Sequence, residues 1–201
     1  MLGKDIIDLI EVIKKDMSVE LSERRFSHCE RVMNKAIELA EIYGENPADA
    51  ALAGLTHDIA KEIPYEESMK IIHDNDIFID EIEMANPGLI HGPLGAFIIK
   101  ERYGFNEKIQ EAVRLHTRTS RNMNLLDKII YISDKIEDGR MNDNYDIQKE
   151  RELAKENIDE AMIMIIDNNI IHLLQKGKLV HPNAIDTTNY LKMNIKNSTK
   201  E

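Results

Sequence analysis

Apolar residues return every three or four positions along almost the whole chain, the spacing of α-helices with one buried face. Ile6, Leu9, Ile10 and Ile13 mark the stripe of an opening helix. Ser22 is placed to cap a second helix that runs to Tyr43 and stops at Gly44, with Val32, Ala36, Leu39 and Ala40 inward. Asn46-Pro47 reads as a cap followed by proline at the first helical position, opening a third helix through Ala50, Ala53, Gly54 and His57. Pro64 begins a fourth, to about His73, and Asn86-Pro87-Gly88 signals a turn in the irregular stretch 75–89. Gly92-Pro93 opens a helix that ends near Gly104. Asn106 caps one that ends near His116, and Asn124 caps one through Ile129, Ile130, Ile132 and Ile136 that Gly139 closes. Residues 118–124 read as a loop and 141–146 as a polar, mobile connector. One long helix is then expected from Ile147 to Gln175, ended by Gly177, and a last one after Pro182. No strand pair is visible. The pattern predicts an all-α single domain.

Composition narrows the setting. Of 201 residues, 42% are hydrophobic and 31% charged, and no window approaches the roughly 18 uncharged apolar residues of a bilayer span. Asp5 and Asp8 interrupt the stretch where a signal peptide needs apolar residues, and the lone Cys29 cannot form an internal disulfide. A cytoplasmic protein is expected. With 26 Lys+Arg against 37 Asp+Glu, the net charge of −11 disfavours nucleic acid and membrane as partners. An isoleucine-rich helical surface leaves room for a homodimer face.

Candidate chemistry lies with the histidines. His57-Asp58 ends the Ala/Gly-rich third helix. Successive helical side chains point about 100° apart, yet two of them can converge on one ion over the groove between them. Imidazole and carboxylate both ligate a borderline divalent metal. His28 lies inside the second helix, and Asp134 lies in a run of isoleucines, where a carboxylate is costly to bury unless it is paired, protonated or metal-bound. His91 precedes Gly92-Pro93, and His116 follows Val113 and Leu115. His73 reads as a solvated surface residue, His172 as a structural contact and Cys29 as a small buried side chain.

These residues, in the order His28, His57-Asp58, Asp134, resemble the HD-domain superfamily of metal-dependent phosphohydrolases. Longer phrases are similar to its YqeK-type bacterial branch, which hydrolyses diadenosine tetraphosphate symmetrically. They are Arg25-Phe26-Ser27-His28, His57-Asp58-Ile59-Ala60-Lys61-Glu62-Ile63-Pro64, His91-Gly92-Pro93-Leu94-Gly95-Ala96, Ala112-Val113-Arg114-Leu115-His116-Thr117 and Ser133-Asp134-Lys135-Ile136-Glu137-Asp138-Gly139-Arg140. The likeness spans roughly residues 20–190. It implies an HD-type helical bundle over 21–195, with 1–20 as an N-terminal helix packed on it and 196–201 as a disordered tail.

By the same resemblance, His28, His57, Asp58 and Asp134 hold a divalent transition metal. Iron comes first, with manganese, cobalt or zinc as alternatives. Metal-bound water then attacks the polyphosphate bridge and releases two ADP. Asp58, His91, His116 and Lys61 are the implied catalytic groups, with His91 and His116 facing the phosphates or, as in some relatives, binding a second ion. Arg25, Lys61 and Arg140 are implied to supply positive charge. Thr117, Arg118 and the segment Gly177, Lys178 and His181 are implied to reach the nucleotide. Two departures stand out. After His116-Thr117 the family has a Thr-Gly-Arg phrase where this chain reads Arg118-Thr119-Ser120-Arg121, leaving open whether Arg118 or Arg121 replaces its arginine. Asp138 replaces a proline. The alternatives are an HD enzyme acting on nucleoside monophosphates or a guanosine alarmone, a di-iron oxygenase, or a non-catalytic nucleotide sensor.

Overall fold

The computed structural model describes residues 2–141 and 146–198. Among them are eleven helices and no strand, so the all-α expectation holds. They are α1 (Lys4–Glu20), α2 (Glu23–Tyr43), α3 (Pro47–Thr56), α4 (Tyr65–Asp74), α5 (Glu81–Ala85), α6 (His91–Tyr103), α7 (Glu107–Leu115), α8 (Leu125–Ile136), α9 (Ile147–Glu156), α10 (Ile158–Gln175) and α11 (Pro182–Ser198).

The expected caps act as caps. Ser22 accepts the Arg25 N–H, Asn46 the Ala48 N–H and Asn106 the Ile109 N–H. Gly44 closes α2 and Gly104 closes α6 in the left-handed conformation, which glycine enters without a Cβ penalty.

The structure corrects the sequence reading in four places. The long helix expected over 147–175 is broken at Asn157, whose extended backbone (φ −150°, ψ 104°) ends α9. Its side chain accepts the Asp159 and Glu160 N–H groups to start α10. The apolar period continues across the break, which is why periodicity misses it. The stretch 75–89 holds a short helix, α5, set by a capping box in which Asp80 and Glu83 each accept the other's backbone N–H. Helix α6 begins at His91, one residue before Gly92-Pro93. Helix α11 carries through Ser198 into the expected tail, whose residues 199–201 lie outside the described residues, as do 142–145 of the polar connector.

Helix α8 is the axis of the packing and touches α2, α3, α7, α9 and α10. Leu126, Ile129, Ile130, Ile132 and Ile136 are fully buried on it, and Tyr131, Ser133 and Asp134 are buried as well. Helix α1 lays Ile10, Ile13 and Met17 on α2 and α3. Two close approaches need a missing Cβ. A Cβ on Gly54 would lie 2.9 Å from Met33 Cα, so α3 sits directly on α2. One on Gly92 would lie 2.8 Å from the Arg114 carbonyl, so α6 sits directly on α7.

At the start of α8, Asp127 is buried. One of its oxygens accepts the Asn124 N–H at 2.8 Å, while the other finds no donor among the described residues. Burial pushes its carboxyl up to about 6, and Glu111 adds to the rise against the pull of Asn124. The folded value lies above the unfolded value of about 3.9. The neutral acid's contribution to stability is therefore whole below about pH 4 and is lost as pH rises through about 6. Asp127→Asn keeps an acceptor for Asn124 and removes the charge. Relative to wild type, it should gain on the order of 2 kcal/mol between about pH 4 and pH 7 in urea unfolding. Parallel pH profiles for the two proteins would refute this.

Candidate active site

Six side chains from five places in the chain meet in one buried cluster. His28 comes from α2, His57 and Asp58 from the turn that ends α3, His91 from the first residue of α6, His116 from the turn that ends α7, and Asp134 from α8. Helix α3 ends at Thr56. The chain then tightens into a turn in which the Ile59 N–H bonds to Thr56 O and the Lys61 N–H to Asp58 O. That departure from helix lets two adjacent side chains serve one point.

Asp58 stands at the centre and divides its two oxygens between two donor sets. Its Oδ2 lies 3.5 Å from His57 Nε2 and 3.7 Å from His28 Nε2. Those two nitrogens are 3.3 Å apart, and Asp134 Oδ1 lies 3.1 Å from His28 Nε2 and 3.7 Å from His57 Nε2. Its Oδ1 lies 3.0 Å from His91 Nε2 and 3.5 Å from His116 Nε2, which are themselves 3.0 Å apart.

The outer ring nitrogens settle the tautomers. His57 Nδ1 is 2.8 Å from Gly54 O and His116 Nδ1 is 2.6 Å from Val113 O. A carbonyl only accepts, so both Nδ1 atoms carry hydrogen and, in the neutral ring, both Nε2 atoms offer lone pairs to the cluster. Lone pairs and carboxylate oxygens converging in a buried space call for a cation. The donors therefore fit a divalent metal, and their mix of imidazole nitrogen and carboxylate oxygen is that of a transition metal site.

The titration behaviour agrees with such crowding. Burial pushes the Asp58 and Asp134 carboxyls up but is outweighed. His57, His116 and His91 hold Asp58 well below the usual range, and Lys135, His28, His57 and Arg140 do so for Asp134. Burial also pulls His57 down, but Asp58 and Asp134 win and raise it. His91 is pushed down to about 3, and His116 is also lowered, in both cases chiefly by burial against the pull of Asp58.

Cations ring the mouth of the site, a recess of about 220 Å³. Arg25 bonds to Asp58 Oδ2 at 2.6 Å, Arg140 to Asp134 Oδ1 at 2.6 Å and Lys135 to Asp134 Oδ2 at 2.7 Å. Lys61 Nζ sits 3.3 Å from both ring nitrogens of His91, and burial lowers its ammonium pKa. Thr117 also lines the recess, and its buried hydroxyl has no partner among the described residues. A larger cleft of about 630 Å³, lined by Phe78, Phe97, Lys100 and Arg114 among others, contains none of the cluster residues.

Not every residue expected at the site reaches it. Arg118 pairs with Asp80 and Glu83, at 3.2 and 3.3 Å. Arg121 lies 3.8 Å from Asp186 and over the Tyr190 ring. Neither lines the recess. His181 accepts the Asn183 N–H on Nδ1 and donates from Nε2 to Asp80 at 2.7 Å, which ties it to α5 instead of the cluster. Gly177 and Lys178 are exposed where α10 ends. Loop path decides these placements, and residue spacing does not record it.

The sequence reading assigns no role to Glu137, although it stands in the family-like phrase Ser133–Arg140, three residues after Asp134. Glu137 Oε1 lies 3.1 Å from His28 Nδ1, and its Oε2 accepts from Arg31 Nε at 2.5 Å and from the Gly139 N–H at 2.6 Å. It orients His28 as the backbone carbonyls orient His57 and His116.

The comparisons with known proteins agree with this geometry. An HD domain model matches residues 25–139, more than half of the chain. The chain belongs to the HD-domain family. Within it, the chain is 37% identical over 173 residues to the symmetrical bis(5'-nucleosyl)-tetraphosphatase of Bacillus subtilis, covering 86% of this chain and 91% of that protein. To the Staphylococcus aureus protein of the same name it is 31% identical over 182 residues, 90% of this chain and 93% of the other. Its fold matches a crystal structure of a predicted HD superfamily hydrolase involved in NAD metabolism from Clostridium acetobutylicum. The TM-score is 0.87 at 35% identity, over 92% of this chain and 97% of that one. Among the described residues no helix is long and apolar enough to cross a membrane.

Because Glu137 fixes the His28 ring, Glu137→Gln should weaken metal binding by about 10- to 100-fold while the helical circular dichroism is kept. Metal retention through dialysis against a graded chelator checks this, and retention equal to wild type would remove Glu137 from the site.

Proposed function

We propose that the protein hydrolyses diadenosine tetraphosphate symmetrically to two ADP. One observation carries the reading: a buried carboxylate shared by two imidazole-rich donor sets, at the floor of a recess rimmed by four cations, in a chain alike over nearly its whole length to enzymes of that name. His28, His57, Asp58 and Asp134 would hold one divalent ion. His91 and His116, with the second oxygen of Asp58, would hold another. The tautomer favours this over a phosphate contact, since His116 turns its N–H to Val113 and its lone pair to the cluster. Iron is the leading assignment, with manganese, cobalt or zinc compatible with the same donors. When bound, such ions polarise phosphate oxygens and supply an acidic water at neutral pH.

The chain's own groups do the rest. Arg25, Lys61, Lys135 and Arg140 place positive charge where the bridge phosphates enter and where charge gathers on the departing diphosphate. Arg25 and Arg140, hydrogen-bonded to Asp58 Oδ2 and Asp134 Oδ1, are the guanidinium groups placed beside the ligand set and would hold entering phosphate oxygens. Thr117 offers a hydroxyl inside the recess. The lone, buried Cys29 and the nucleotide substrate support a cytoplasmic location.

Incubation of the metal-loaded protein with diadenosine tetraphosphate should give ADP alone by chromatography. AMP with ATP would refute symmetrical cleavage, and oxygen uptake without ADP would favour the oxygenase alternative. His57→Ala and Asp134→Ala should lose both metal and turnover yet keep their helical spectrum. His116→Ala should lower the metal count from about two per chain to about one. Unchanged metal content in Asp134→Ala would show the site to be misassigned.

A further inference from the structure

Two recesses adjoin the cluster pocket, and their chemistry is opposite. One, of about 320 Å³, borders the His28 set and shares Arg25 and Arg140 with the cluster pocket, while Arg24 and Arg31 line its outer part. Four arginines line it beside one carboxylate, Glu137, and three of them are paired: Arg25 with Asp58, Arg31 with Glu137 and Arg140 with Asp134. Arg31 is anchored by Glu137 and packs where a Cβ on Gly139 would stand, 2.5 Å from its Nε. Arg24 is exposed and has no carboxylate within ion-pair distance among the described residues. The other recess, of about 260 Å³, borders the His91 set, shares Lys61 and His91, and is otherwise lined mainly by Ile63, Tyr65, Pro87 and Ile90.

A bridge cut at its centre must leave a nucleoside diphosphate on each side of the cluster. Guanidinium forks match phosphate oxygens two at a time. An apolar trough with a half-exposed tyrosine suits the ring. We propose that the recess of Arg24, Arg31 and Arg140 is the subsite for one nucleoside diphosphate half of the substrate, held through its phosphates. The trough of Ile63, Tyr65 and Pro87 takes the other half through its base. A substrate with two identical halves is thus held by two unlike grips, and a mononucleotide can use only one at a time. This inference rests on the reading of the protein as a symmetrical dinucleoside tetraphosphate hydrolase.

The test uses the metal-loaded full-length chain and its Arg24→Glu, Arg24→Lys and Tyr65→Ala variants, with diadenosine tetraphosphate kinetics and calorimetric titration by ADP. Wild type should bind two ADP per chain. Arg24→Glu should lose one of them and raise KM about tenfold with kcat within about twofold, the mark of lost ground-state and transition-state binding alike. Arg24→Lys should restore most of the affinity, and Tyr65→Ala should lose the other ADP. A KM for Arg24→Glu within about twofold of wild type, or one ADP per chain in every protein, overturns the two-subsite assignment while leaving the hydrolase reading intact. A wild type that turns over no diadenosine tetraphosphate overturns the hydrolase reading, and its ADP count still decides whether two half-sites exist.

Discussion

Everything at this site depends on the burial of Asp58. An ionised carboxylate withdrawn from water costs several kcal/mol unless strong partners surround it. Here the partners are four imidazoles and one guanidinium. No single helix can supply them. The bundle has to bring α2, α3, α6, α7 and α8 to one point, and the two glycines that let α3 sit on α2 and α6 sit on α7 make that convergence possible. Stability and function are therefore in tension here: without a cation the cluster crowds lone pairs and anions.

The electrostatics of the chain follow from the same arrangement. A protein of net charge −11 repels polyanions at a distance. Close to the cluster the balance inverts, because arginines and lysines from α2, the turn after α3 and the end of α8 gather within one recess and its neighbour. At physiological salt, fields are screened over about 8 Å, so an acidic exterior and a cationic pocket coexist. The acidic surface disfavours long polyanions that need a broad face, and the recess admits a short one.

Much of this was legible in the chain. Period 3.6 and polar caps located most helices, since a cap is a local interaction between a side chain and amides two or three residues on. The break at Asn157 was not legible, because the apolar stripe runs through it and only the backbone turns. Nor was α5, five residues long and held by the Asp80–Glu83 box. At the site, His28, His57, Asp58, His91, His116 and Asp134 were all picked out, yet the division of Asp58 between two donor sets was not. The role of Glu137 was not legible, because a carboxylate among charged neighbours has no distinguishing signature until its partner ring is placed beside it.

The residue types, their order and their helical period determined by themselves that the chain is all-α and that its candidate site is built on histidine and aspartate. Those properties reside in local sequence and in side-chain identity, which a linear reading sees. Which atoms meet was decided by tertiary structure alone. His28 and Asp134 are 106 positions apart and meet at 3.1 Å, while Arg118, one residue beyond Thr117, turns away to Asp80. Helix packing and loop path set those distances, and both depend on contacts between segments that carry no record of one another in sequence.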